Sequence, residues 1–481
     1  LFPMRLLRSH ALAALSVAGL VFVSACTSVL GNFDVATGGG ASTVGGTGGG
    51  ASVATSAGAG GGGGTMPAPT YGCTWVNPVP NVLATYTQGS GVFLSRISLA
   101  ERGQLGKAWV VAVESGSNDT KLVVRSSVPS ATKLSINGIV EVLRVARVSL
   151  NSTGILVHEN AGNGPQIVLY ELADEGEAPS VERHVILTAN AWALDASKPM
   201  VSGTFVGTNL AKPAWEADVL VAYREVSGGH VARFGHFTGA GGKTVSIIDP
   251  VDPLAVSGLR VGGMFHSTSA GRDFAYIGPA KEGAGSSEYS LGPDTKGIVD
   301  PRSFGSLLLL DAVERKEGVN LVLFGIDAEK QSFRFHAGQV PLEKLGKWLD
   351  TDTKDLGTFS AGGKIPLGDP SFGWLGDMFV MVGGQGDASV SPNDYTQFGF
   401  YFVDPQGNER GAGLLPKLTF QPLGAFPRVG IRSVATSTKG GEVGSAPFTL
   451  HVAWDDRGES MAQESASALA YADVLCSEDA P

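Results

Sequence analysis

Side chains able to do chemistry are sparse in this 481-residue chain, and their spacing excludes more than it suggests. Its eight histidines, His10, His158, His184, His230, His236, His266, His336 and His451, form neither an HxH nor an HExxH pair. Zinc therefore gains no support from spacing. His158, His236, His336 and His451 fall in strand-like runs of different hairpins. Such positions could converge on a common axis, but a satisfied histidine within a strand is the ordinary outcome. Asp350, Asp352 and Asp355 alternate along Leu349-Asp350-Thr351-Asp352-Thr353-Lys354-Asp355. Alternate carboxylates suit an oxygen-seeking cation such as calcium, yet the glycine and distal glutamate of an EF-hand loop are missing. They make a weak calcium candidate beside the plainer expectation of a polar loop. Gly242-Lys243-Thr244 imitates the end of a phosphate loop, but Phe237 stands where its first glycine belongs. Val245-Ser246-Ile247-Ile248 then reads as strand where a phosphate loop needs a helix. No GxSxG elbow occurs. Glycoside cleavage needs two facing carboxylates, and sequence does not say which acids face one another. No catalytic residue is assigned, and no cofactor is expected.

The three cysteines, Cys26, Cys73 and Cys476, carry more information. Arg5 and Arg8 precede a nearly continuous apolar run from Ala11 to Val23, which is the order of a secretory signal, with Met4 as the expected start. Val23-Ser24-Ala25-Cys26 closes that run and resembles the lipobox of bacterial lipoproteins: aliphatic, small, small, cysteine. The resemblance implies cleavage after residue 25, diacylglycerol on the Cys26 thiol and acylation of the new amino group. Thr27 stands where an aspartate would direct inner-membrane retention, so the same resemblance implies the outer membrane. No other segment has the apolar length to span a bilayer. Two or three acyl chains, at about 0.8 kcal/mol per buried methylene, would hold such a protein firmly.

Residues 26–36 form the lipid-bearing start, and 37–70 are almost wholly Gly, Ala, Ser, Thr and Val, with Gly60 to Gly64 unbroken. Too little side chain is present there to offset ordering entropy, so this stretch is expected to be a disordered tether. A coil of about forty such residues has an end-to-end distance of roughly 35 Å. Lys plus Arg number 35 against 45 Asp plus Glu, and only 17% of residues are charged. An acidic balance with no basic run argues against nucleic acid as a partner.

From residue 71 to 481 short runs of Val, Leu, Ile, Phe and Tyr are broken by Gly, Asn, Asp and Pro, the pattern of strands and turns. Hairpins are expected at Trp109–Glu114 with Lys121–Ser126, Gly154–His158 with Gln166–Tyr170, and Asp218–Tyr223 with His230–Phe237. Further pairs are Asn320–Ile326 with Ser332–His336, Met378–Val382 with Phe398–Val403, and Thr449–Trp454 with Leu469–Leu475, with a weaker one from Phe274. About seven hairpins at roughly regular intervals predict an all-β chain forming one β-propeller of about seven four-stranded blades. Tandem β-sandwiches are the alternative. Cys73 and Cys476 open and end the folded region, so a disulfide between them would lock a blade shared by both termini; two free thiols are the alternative. Leu342, Leu345, Trp348 and Leu349 suit one short helix, and 459–468 could form another. Gly278–Asp300 and Gly383–Gln397 read as long insertions.

The function expected from this layout is a membrane-anchored lipoprotein of the cell envelope. It would be a monomer presenting its propeller as a non-catalytic platform for a protein or glycan ligand at the loops. The alternative is a tethered glycoside hydrolase or lyase using carboxylates around the channel. The lipid expectation is tested by Cys26→Ala, which should move the protein from the membrane to the soluble fraction, and retention of the variant in membranes would refute it.

Overall fold

The computed structural model describes residues 70–478, chiefly the strands and their tighter turns. Residues 1–69, several connections between strands and the stretch 340–352 lie outside the described residues, and with them Cys26, the tether and the expected helix at 342–349. No helix occurs among the described residues.

Among the described residues thirty strands form seven antiparallel sheets of four or five strands each. Blade one is Phe93–Arg102, Lys107–Ser115, Thr120–Ser126 and Leu134–Asn137, and blade two is Ile139–Arg147, Ser152–Ala161, Gly164–Ala173 and Ser180–Thr188. Blade three is Val201–Gly207, Trp215–Arg224, His230–Gly239 and Val245–Ile248, with Leu254–Ala255 also on its third strand. Blade four is Arg260–Ser267, Arg272–Gly278, Ser287–Leu291 and Arg302–Ser303; blade five is Leu307–Glu314, Asn320–Asp327, Ser332–Gln339 and Thr353–Gly357. Blade six is Gly368–Leu375, Met378–Gly386, Tyr395–Val403 and Glu409–Leu414. Blade seven takes Gly430–Thr438, Phe448–Arg457 and Ser467–Glu478 from the C-terminal end and Tyr71–Trp75 from the N-terminal end. The first strands of successive blades stand side by side from blade six through seven, one, two, three and four to five, so they form the inner wall of a propeller.

Middle strands are buried on both faces, which is why they read as unbroken apolar runs. Ala108–Val113, Ile155–Val157, Val219–Tyr223 and Met378–Val382 are buried throughout. The expected hairpins are the second and third strands of the seven blades, including the weaker one from Phe274. Their turns are tighter than the sequence suggests: Ala161 pairs directly with Gly164. Two expected insertions are corrected. Gly278–Asp300 contains the third strand of blade four, Ser287–Leu291, whose polar composition hides it. The segment Gly383–Gln397 shrinks because its flanking strands run on to Gly386 and begin at Tyr395. The polar loop expected through Asp355 is also corrected: Asp355 sits in Thr353–Gly357, where backbone pairing opposite Arg334 makes an outer strand.

Closure is made by pairing the two ends of the described chain. Tyr71–Trp75 pairs with Glu478–Val474, Val76 N donates to Asp473 O at 2.9 Å, and Asn81–Tyr86 pairs with Tyr471–Ser467. The N-terminal segment thus covers the whole edge of the last strand, which would otherwise present unpaired backbone groups. Trp75 and Tyr71 then bury against blade six and blade seven. Trp75 lies 5.4 Å from Phe398 and 6.2 Å from Trp454 between ring centres, and its Nε1 donates to Pro416 O at 2.7 Å. Tyr71 lies 5.9 Å from Phe402 and 5.5 Å from Phe448. Edge and tilted ring pairs of this kind add about 0.5–1.5 kcal/mol each beyond burial. Gly411 is required by this packing, since a Cβ there would stand 2.3 Å from Tyr71 O.

Cys73 and Cys476 are direct cross-strand partners, 4.2 Å apart at Cα, and are joined as a disulfide closing 403 residues of sequence. The chain-entropy relation gives such a closure roughly 6 kcal/mol as an upper figure. Spread over about 2.1 cal/mol/K per residue for roughly 400 residues, that is up to about 7 °C in Tm. Cys73→Ser with Cys476→Ser, or reduction of the native protein, should therefore lower the calorimetric midpoint by several degrees. An unchanged midpoint would show that the bond contributes nothing.

Candidate functional site

Charged side chains among the described residues are mostly consumed within or between blades. Glu114 of blade one accepts from the Tyr86 hydroxyl at 2.7 Å and from Arg125 Nη2 at 3.1 Å, tying the N-terminal segment to the first blade. Burial, then the Glu114 carboxylate, holds the Tyr86 phenol well above its ordinary range. In blade two, Glu159 accepts from Tyr170 at 2.7 Å and from Arg183, which also donates to Gln166 Oε1 at 2.9 Å. Burial and Glu159 push the Tyr170 phenol up to about 12. In blade seven, Asp473 accepts from Tyr471 and from Nδ1 of the fully buried His451, the latter at 2.8 Å. Each carboxylate is matched by a cation or a phenol, which is how buried charge is made tolerable. These clusters hold strands together.

His236 and Asp218 face one another across the second and third strands of blade three and are hydrogen bonded through Nδ1. Asp218 is buried, while His236 keeps about a third of its side chain exposed. The bond to Asp218 holds the imidazole above its ordinary range against the opposing effect of burial, and the charges of Asp218, Glu216 and Asp273 add to it. Asp273 comes from blade four, so this group lies at the junction of blades three and four.

The junction of blades two and three is built differently. The fourth strand of blade two carries a bulge between Val185 and Leu187. Beside it opens an apolar cleft of about 360 Å³, lined by Val185, Ile186, Leu187, Val219, Val221 and Phe237 among others. That volume falls within the roughly 300–1,000 Å³ of small-molecule pockets. Arg233 also lines the cleft, half-buried, and its Nε donates to the Tyr223 hydroxyl at 2.8 Å. This bond fixes the guanidinium plane and leaves its outer nitrogens with no acceptor among the described residues. At the other end of the junction the Trp215 indole lies against Gly239, where a Cβ would stand 1.9 Å from Trp215 Nε1. The His184 ring lies 5.1 Å from that indole, and Glu171 and Glu182 lie beside His184. These three offer the metal-ligand set of the described residues.

The structure disposes of the convergence of histidines. His158 and His451 lie on second strands, His236 and His336 on third strands, and none of the four is on an inner strand. His158 and His451 are buried within their blades. Asp350 and Asp352 lie outside the described residues, as does Gly242-Lys243-Thr244, while Val245–Ile248 is the strand its sequence predicts. Cys73 and Cys476 are brought together, and they hold the fold rather than a ligand. Arg233, Trp215, Glu171, Glu182 and His184 escaped the sequence reading because they meet across strands or blades. Only register, not spacing, could have shown it.

No family model and no curated protein sequence matches the chain. Among solved structures it is similar to the Dos1 propeller, at 10% identity and TM-score 0.40 over 82% of this chain and 95% of that one. It is also similar to a neuraminidase-like protein from A/bat/Guatemala/164/2009, at 9% and 0.35 over 85% and 97% of the two chains. Trypanosoma rangeli sialidase gives 10% and 0.34, over 85% of this chain and 60% of that one. No residue role passes from these proteins to this chain.

Two histidines give the fold opposite pH responses. Burial lowers His158 from 6.5 to about 4, so its contribution is present above pH 6.5 and is lost as pH falls towards 4, by about 3 kcal/mol. His236 is raised, so its contribution is full below pH 6.5 and is lost as pH rises through the folded value. Urea midpoints measured at pH 4.5, 6 and 8 should show His158→Gln flattening the acid side and His236→Gln flattening the alkaline side. Unaltered profiles in both variants would contradict these assignments.

Proposed function

We propose that this chain is a lipid-anchored, non-catalytic binding protein of the cell envelope, its propeller held off the membrane by the glycine-rich tether. The observation that carries the binding role is the cleft between blades two and three, an apolar slot with one oriented guanidinium at its side. Apolar walls with a few placed polar groups are the general composition of ligand sites. The ligand class that fits is an aliphatic or aromatic group bearing an anion, offered by a small molecule or by the end of a partner. Support for a non-catalytic reading comes from Glu114 and Glu159, whose carboxylates are matched internally by Arg125, Arg183 and tyrosines. Support for the anchor is the sequence at Val23-Ser24-Ala25-Cys26, followed by a tether that meets the ring at its closing blade.

The site is tested with an aromatic sulfonate dye as probe. The folded protein should bind it with saturation; Val185→Trp should plug the mouth of the cleft, and Arg233→Gln should weaken binding by about tenfold, the loss of one charge-assisted contact. Val185 is partly exposed, so its substitution leaves the core intact. Equal binding by all three proteins would remove the cleft from consideration. Release of reducing ends from envelope polysaccharides by the purified protein would replace the non-catalytic reading with the glycosidase one.

A further inference from the structure

Glu171 and Glu182 are direct cross-strand partners on the third and fourth strands of blade two. Like charges placed so are destabilising unless something lies between them. His184 stands two residues beyond Glu182 on the same strand, hence on the same face. Its ring is nine-tenths buried, with 8% of the side chain exposed, and is backed by Trp215 of blade three. Its Nε2 lies 3.3 Å from Glu171 Oε2 and 3.9 Å from Glu182 Oε2. The three ligand atoms lie within 4.8 Å of one another.

We propose that Glu171, Glu182 and His184 form a divalent-cation site of the zinc, nickel and cobalt class. Ligands about 2.1 Å from a tetrahedral ion stand roughly 3.4 Å from each other, which the two imidazole-to-carboxylate distances bracket. One imidazole and two carboxylates select this class over calcium, which takes six or more oxygens. Glu182 keeps 41% of its side chain exposed, so the ion is reached from solvent and retains positions for water or for a donor from a ligand. Two negative charges and one neutral imidazole leave the loaded site without net charge, relieving the opposed glutamates. Because Trp215 packs on the ligating ring, the site also couples blade two to blade three.

The indole supplies the readout. Protein stripped with chelator should bind one nickel ion with saturation by calorimetry, and the ion should quench Trp215 fluorescence. Zinc should compete the quenching away. Glu182→Gln and Glu171→Gln should each weaken nickel binding by about tenfold or more, with a metal-free melting midpoint equal to or above that of the native protein because one of the opposed charges is gone. Trp215→Phe should lose the quenching but keep the calorimetric binding. If His184→Ala fails to fold, the two glutamine variants still decide the matter. Absence of saturable binding below about 1 mM would overturn the site. So would nickel binding unchanged in both glutamine variants, since the ion would then sit on other histidines.

Discussion

Backbone pairing between the first strand and the last is the constraint on which this molecule depends. Seven sheets placed side by side bury their faces only if the seventh meets the first, and a seventh sheet built from the C-terminal end alone would leave the largely apolar last strand as its edge. Tyr71–Trp75 and Asn81–Tyr86 together cover that edge from Glu478 to Ser467. The aromatic cluster of Tyr71, Trp75, Phe398, Phe402, Phe448 and Trp454 exists because that pairing brings the two ends of the chain onto blade six. The Tyr86–Glu114–Arg125 group does the same on the side of blade one. One short segment therefore joins both neighbours of the closing blade.

Much of this architecture was legible in the sequence because middle strands announce themselves. Ala108–Val113 or Met378–Val382 must be apolar on both faces, being covered by a blade on each side. Some third and fourth strands are far less distinctive. Ser287-Glu288-Tyr289-Ser290-Leu291 and Thr353-Lys354-Asp355-Leu356-Gly357 carry no apolar run, so they read as loop although backbone pairing makes them strands. The pairing of Cys73 with Cys476 was legible because only two cysteines remained once Cys26 was set aside. The junction of blades two and three was not. Glu171 and His184 are thirteen residues apart, and only the register of two strands, with Glu182 opposite Glu171 and His184 opposite Leu169, sets them on one face.

The polar groups divide by what surrounds them. Glu159 is enclosed by donors from its own blade, and such a matched cluster stiffens a sheet without offering a free valence. Arg233 and Glu182 are only partly enclosed, and both belong to the junction that also holds the apolar cleft. The cleft opens beside a junction that is otherwise well packed, with Ile186, Phe205, Trp215, Val219 and Phe237 in one buried cluster.

The position of the disulfide has a mechanical consequence. A pull applied to the chain ahead of Tyr71 acts on an edge strand, whose hydrogen bonds fail one after another like a zipper rather than all at once. Cys73 is the third residue of that strand and is bonded to its own cross-strand partner. Peeling can therefore run through Tyr71 and Gly72 alone before the force passes along a covalent path into the last strand, which lies deep in blade seven. A ring fastened in this way can be dragged by its leading end without coming undone.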